Sequence, residues 1–236
     1  MAEDVNKMFS RIHRRYDMMN HLLSLDFDKG WRKAAATEAL MPQEEYSVLD
    51  VATGTGDLAI DVDRTARKNG KRIAVLGTDF NEDMISIAKA KARRLGLDNI
   101  RFETSSAFSM PSKDGSFEVV TSAFGLRSFE FPGEGSSGLH AFLSESYRVL
   151  KKGGKAVLLD MAAPDSGIQR SFFHAYSRLM RAMGILVDRS AYNWLTDTIS
   201  RFDKKKLTAQ MEQVGFRNVR IRSLRSGIAF IATGEK

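Results

Sequence analysis

The chain has 236 residues, enough for one substantial core, and its composition is that of an ordinary globular domain. It contains no cysteine, which removes disulfides, thiolate nucleophiles and cysteine-ligated metals, and its four dispersed histidines offer little to build a zinc site from. The formal net charge of +7 permits attraction to nucleic acid, to an anionic membrane or to acidic ligands, and specifies none of them.

The apolar runs are too short and too interrupted to span a bilayer. The N-terminal stretch lacks the apolar core of a signal peptide, so the expected location is the cytoplasm. Within residues 1–45, Met8, Phe9, Ile12, Tyr16, Met19 and Leu22-Leu23 recur at helical intervals. Trp31, Ala34-Ala35 and Leu40 suggest a further helix ending at Pro42. This region reads as a helical cap on the core, and its aromatics and methionines equally suit a lid that excludes water from a ligand.

The run Val48-Leu49-Asp50-Val51-Ala52-Thr53-Gly54-Thr55-Gly56-Asp57 follows. An apolar strand turns sharply through two glycines into a helix carrying Leu58, Ala59, Val62 and Ala66. Residues without Cβ let the backbone turn tightly and pass close to a ligand, which then faces the free N–H groups of the helix start. No Gly-Lys-Ser/Thr follows, so this is not a P-loop. On these residues alone a dinucleotide site stays open.

A second strand over 72–79 ends at Asp79, which places a carboxylate beside the same crevice. Such a carboxylate can accept both ribose hydroxyls, or can cap the helix predicted over 82–95. Strands follow at 99–104 and 116–123. Phe124-Gly125-Leu126-Arg127 then stands at the crevice edge, and 129–138 reads as an irregular loop. A helix over 139–150 leads into a turn at Lys151-Lys152-Gly153-Gly154 and a strand over 155–160. The stretch 168–187 is helical, with a broad apolar stripe from Phe172 to Leu186 that suits either core or an apolar pocket. Helices at 191–201 and 204–214 precede two strands, 219–224 and 228–233, joined around Gly227. Repeated α/β units with two closing strands predict a mostly parallel sheet with one reversed edge, and ligands outside the carboxyl ends of its strands.

The Leu49–Asp57 run resembles motif I of the class I methyltransferases, which use S-adenosylmethionine. Phe9-Ser10-Arg11-Ile12, Tyr16-Asp17-Met18-Met19-Asn20, Trp31-Arg32 and Phe124-Gly125-Leu126-Arg127 resemble the C-methyltransferases of menaquinone and ubiquinone biosynthesis. Arg148 to Gly154, Ser190 to Leu195, Gly215-Phe216 and Gly227-Ile228 continue the likeness over nearly the whole chain. The resemblance implies a Rossmann-like α/β fold in one domain: a seven-stranded, mostly parallel sheet, its last strand antiparallel, with helices on both faces. Residues 1–45 would be the lid and 165–202 a helical insertion at the substrate pocket.

The resemblance also implies transfer of the methyl group of S-adenosylmethionine to a ring carbon of a polyprenylated quinol. It assigns Asp50, Ala52, Thr53, Gly54, Gly56, Asp79, Phe80, Met84, Ser106, Ala107 and Ser122 to the cofactor. Phe9, Tyr16, Asn20, Phe124, Arg127, Phe173, Tyr176 and Tyr192 fall to the acceptor. Tyr16, Asp17, His13 and Arg127 are the catalytic candidates, with Arg127 stabilising phenolate character and Asp17 or His13 accepting a proton. Three departures stand out. Ser106 replaces the usual acid or amide, Glu130–Gly138 is longer and richer in glycine, and Met161-Ala162-Ala163-Pro164 differs from the usual acidic-aromatic run.

A greasy entrance and the positive charge suit peripheral contact with the inner face of a membrane, and a homodimer is compatible with the sequence. No metal is expected. Another small aromatic or isoprenoid acceptor is the nearest alternative. An NAD-dependent oxidoreductase lacks the fuller dinucleotide spacing here. A nucleic-acid-binding protein or nucleic-acid methyltransferase lacks a concentrated basic and aromatic surface, since Lys89–Arg94 and Lys204–Lys206 read as solvated helix faces.

Overall fold

The structure is a computed structural model that describes residues 27–130, 137–164, 167, 171, 173, 189–224 and 227–236, by backbone alone at 137 and 189–192. The first half of the expected lid, and most of the expected pocket insertion up to residue 188, lie outside the described residues.

Seven strands form one sheet in the order β3-β2-β1-β4-β5-β7-β6. They are β1 Glu45–Val51, β2 Arg72–Asp79, β3 Ile100–Thr104, β4 Phe117–Ala123, β5 Leu150–Met161, β6 Arg217–Ser223 and β7 Ala229–Glu235. The pairs β1–β2, β1–β4, β2–β3 and β4–β5 are parallel, whereas β7 runs antiparallel to both β5 and β6. The reversed strand is therefore the last one in sequence, as expected, but it lies inside the sheet rather than at its edge. Between β3 and β4 the chain crosses back over β1, so the strand order reverses at the β1/β4 boundary. Ligands of open α/β sheets bind at such a switch point.

Seven helices among the described residues cover the sheet: α1 Phe27–Glu38, α2 Asp57–Lys68, α3 Glu82–Arg94, α4 Leu126–Glu130, α5 Ser137–Val149, α6 Arg189–Arg201 and α7 Lys204–Val214. Alternation along the strands divides the core in two. In β1, Tyr46 and Val48 join Trp31, Leu58, Val62 and Ile85 of α1, α2 and α3 on one face. Leu49 and Val51 join Leu139, Phe142, Leu207 and Met211 of α5 and α7 on the other. Burial on both faces explains why the central strands read as continuous apolar runs.

Local signals set several boundaries. Asn81 caps α3, its side chain accepting from the N–H groups of Asp83 and Met84. Asp203 caps α7 in the same way, and Gly215 ends it in a left-handed conformation at φ 116°. Two expectations change. Lys151–Gly154 is not a turn but part of β5, because the chain terminus lies alongside it: Gly153 N–H donates to the Lys236 carbonyl at 2.8 Å, and Lys236 N–H to the Gly154 carbonyl at 2.9 Å. Of the loop expected over 129–138, residues 129 and 130 belong to the helical turn α4 and residues 137 and 138 to α5, and its positions 131–136 lie outside the described residues. Among the described residues no helix is long and apolar enough to cross a membrane.

Candidate functional site

The loop after β1 is held from three sides. Beneath it, the fully buried Asp50 carboxylate accepts from the hydroxyls of Thr53 at 2.5 Å and Thr121 of β4 at 2.7 Å. From β2, Asp79 accepts the Gly54 N–H at 2.9 Å on one oxygen and the Asn81 N–H at 3.0 Å on the other. From α3, Lys91 donates to the Thr55 hydroxyl at 3.1 Å. The Phe102 ring packs below, where a Cβ on Gly56 would stand 2.7 Å from its Cζ. Gly56 also needs its left-handed φ of 84°, so both the turn and the close approach require glycine there.

Two residues other than glycine are left-handed at the switch point itself. Ala52 follows β1 with φ 53°, and Phe124 follows β4 with φ 62°. Such conformations store roughly 1–3 kcal/mol each and cluster where a fold positions a ligand. Gly125, next to Phe124, is closely packed: a Cβ there would lie 3.1 Å from both the Ala52 Cβ and the Ser122 hydroxyl, tighter than an ordinary contact.

Burial pushes the Asp50 carboxyl up to about 6, against the two threonine bonds that favour its charged form. Burial likewise raises Asp79, opposed by backbone N–H groups of Asn81, Gly54 and Phe80. Asp79 retains 7% exposure at the crevice, whereas Asp50 retains none. Asp50 therefore shapes the loop from below, through its bonds to Thr53 and Thr121. Ser122, also assigned to the cofactor, is fully buried, and its hydroxyl has no hydrogen-bond partner among the described residues.

The other expected cofactor residues surround the crevice. Among the described residues nothing lies within 4 Å of where a Gly54 Cβ would stand. Thr53 is buried, and its N–H donates to the Thr78 carbonyl at 2.9 Å. Phe80 is 49% exposed just beyond Asp79, and Met84 is buried below it. Ser106 is exposed beyond β3, its hydroxyl accepting from the Phe108 N–H at 3.1 Å, with Ala107 half-buried beside it. A carboxylate at the end of β2, uncapped amides above a glycine turn and an exposed aromatic ring suit a nucleoside bearing an amino-acid tail. The residues present fit S-adenosylmethionine.

Arg127, the candidate for stabilising phenolate character, is buried and paired with a carboxylate. Its Nε donates to Asp160 Oδ1 at 2.5 Å, and its backbone N–H to Oδ2 at 3.2 Å. Nη1 approaches the Thr198 hydroxyl of α6 at 3.5 Å. The pair has no net charge and braces the ends of β4 and β5 against α6.

Phe124 is half-buried, its ring centroid 6.4 Å from that of Trp31, which stacks in turn on Phe27 at 6.5 Å. Phe173 is buried. Phe9, His13, Tyr16, Asp17, Asn20 and Tyr176 lie outside the described residues, as does the side chain of Tyr192 on α6.

Sequence reasoning missed Thr121, Asp160 and the pairing of Arg32 of α1 with Asp61 of α2, Nε to Oδ2 at 3.3 Å. A signal existed for Asp160: like Asp50 and Asp79, it is an acid at or next to the last position of an apolar strand run.

The switch-point crevice, its glycine turn and the Asp79 carboxylate define a class I, S-adenosylmethionine-dependent methyltransferase. The profile of the ubiE/COQ5 methyltransferase family matches residues 1–236, and the chain belongs to that family. It is 39% identical to a demethylmenaquinone methyltransferase of Deinococcus radiodurans, over all of this chain and 93% of that one. It is 37% identical to a ubiquinone/menaquinone biosynthesis C-methyltransferase UbiE of Geobacter sulfurreducens, over all of this chain and 89% of that one. Solved structures share the fold at low identity. A SAM-dependent methyltransferase from Aquifex aeolicus aligns with TM-score 0.60 at 19% identity, covering 86% of this chain and 88% of that one. One from Thermotoga maritima aligns with TM-score 0.64 at 17% identity, covering 98% of each.

Proposed function

We propose that this methyltransferase acts on a ring carbon of a polyprenylated quinol, a demethylmenaquinol-like precursor. The observation that carries the reading is the full-length similarity to relatives named for that reaction. An aromatic wall of Phe27, Trp31 and Phe124 beside the switch point supports a planar, apolar acceptor.

When bound, S-adenosylmethionine supplies an electrophilic methyl group on a sulfonium. The chain's part is to align acceptor and donor in line and to exclude water. The loop 52–56 and Asp79 hold the nucleoside end. Phe124, turned by its left-handed backbone, borders the acceptor side. The Arg127–Asp160 pair keeps the ends of β4 and β5 fixed while the ring carbon attacks. That carbon must then lose a proton, and Asp17 or His13 takes it, directly or through water, with Tyr16 and Asn20 positioning the ring. The acceptor's tail and the positive net charge also favour peripheral contact with an anionic membrane face.

The test is a membrane-lipid assay with labelled S-adenosylmethionine and mass spectrometry of the quinone fraction. One added methyl on ring carbon is expected. Label on oxygen, on nucleic acid or on a non-quinone aromatic would overturn the acceptor and leave the cofactor site standing.

A further inference from the structure

The first turn of α2 places a carboxylate where an anionic ligand should dock. Gly56 occupies the cap position, and among the described residues no side chain caps the helix start. Its amides carry the positive end of the helix dipole and suit an anion. Asp57 is the first helical residue. A carboxylate there can fold back over its own helix end, take those amides and repel an incoming anion.

In the structure it is drawn aside. Asp57 Oδ1 accepts from Lys91 Nζ of α3 at 2.6 Å, and Oδ2 lies 3.6 Å from Arg32 Nη2 of α1. Lys91 also holds the Thr55 hydroxyl inside the loop. Arg32 is itself anchored by Asp28 at 2.6 Å and by Asp61 of α2 at 3.3 Å. The side chains of Arg32, Lys91 and Asp57 are 9%, 17% and 29% exposed, so solvent ions screen this cluster weakly.

We infer that Lys91 and Arg32 are positioning residues for the cofactor: by pulling away and neutralising the Asp57 carboxylate, they keep the start of α2 open to the carboxylate of the cofactor's amino-acid tail. Their effect is electrostatic and confined to one end of the ligand. It must therefore depend on whether the ligand carries that carboxylate.

Titration calorimetry with two probes tests this. S-adenosylhomocysteine has the amino-acid carboxylate, and methylthioadenosine lacks it. Lys91→Met should weaken the first roughly five- to tenfold and change the second by less than about twofold. Arg32→Met should act in the same direction. Adding Asp57→Asn to Lys91→Met should restore affinity for S-adenosylhomocysteine to within about threefold of the parent, because the repelling charge is gone. Lys91→Arg should keep the parent affinity. Lys91→Gln, which retains a polar stem, is carried in parallel against loss of folding. Equal weakening of both probes would assign the residues to general support of the loop and overturn the inference. So would unchanged binding of both, or a deeper loss on adding Asp57→Asn.

Discussion

Arg127 and Asp160 form a buried ion pair, Nε to Oδ1 at 2.5 Å, with both side chains nearly or wholly removed from solvent. Buried pairs of this kind do little for net stability, but breaking one partner leaves an uncompensated charge inside the protein. Asp160→Ala should therefore lower the unfolding free energy by about 3–5 kcal/mol. The double change Arg127→Met with Asp160→Leu should recover most of that loss. Methyl transfer should stay slow in the double variant, because α6 is no longer tied to the ends of β4 and β5. Urea denaturation and a steady-state assay, run on both variants, check the two halves separately.

Asp79 faces the crevice with its two oxygens on the N–H groups of Gly54 and Asn81. We propose that this carboxylate serves the cofactor's hydroxyls as well as the loop. Asp79→Ala should weaken S-adenosylhomocysteine by about 1.5–3 kcal/mol, the usual range for hydrogen bonds to a charged group. Near-parental affinity by calorimetry would remove Asp79 from the cofactor site.

Gly77 lies in β2 above the Phe102 ring. A Cβ there would stand 2.5 Å from Phe102 Cδ1 and 2.9 Å from the Thr53 hydroxyl. Gly77→Ala should cost about 1–3 kcal/mol through overpacking. It should also weaken cofactor binding by pressing Thr53 away from Asp50. Thermal unfolding and calorimetry on the same sample would show both effects, and a loss of neither would contradict the packing described.

Asp50 gives a pH dependence of definite sign. Burial raises its carboxyl from 3.8 to about 6. The folded state then holds this proton more tightly than the unfolded chain. Its contribution to stability is present in full below about pH 4 and is lost as pH rises towards 6. Asp50→Asn keeps a group that can bond both threonine hydroxyls and does not ionise. The stability of Asp50→Asn relative to the parent should therefore rise by about 2–3 kcal/mol between pH 4 and pH 7. A difference that stays flat over that range, measured by urea denaturation at each pH, would refute the assignment.

The sequence by itself determined the sheet, the crevice and the kind of ligand. Continuous apolar runs ending in Asp50 and Asp79, and the glycines between the first run and its helix, are local signals; both faces of a parallel strand are buried, so period and boundary survive in one dimension. Motif order along the chain carried the family. The tertiary structure alone decided which side chains meet. Lys151–Gly154 reads as a turn until the chain terminus is laid beside it. Nothing near Arg127 in the sequence points to its partner Asp160, 33 residues later. The same holds for Asp50 and Thr121, 71 residues away. Partners so far apart in sequence leave no local trace, because hydrogen bonds and ion pairs depend on distances that only the packing of strands and helices sets.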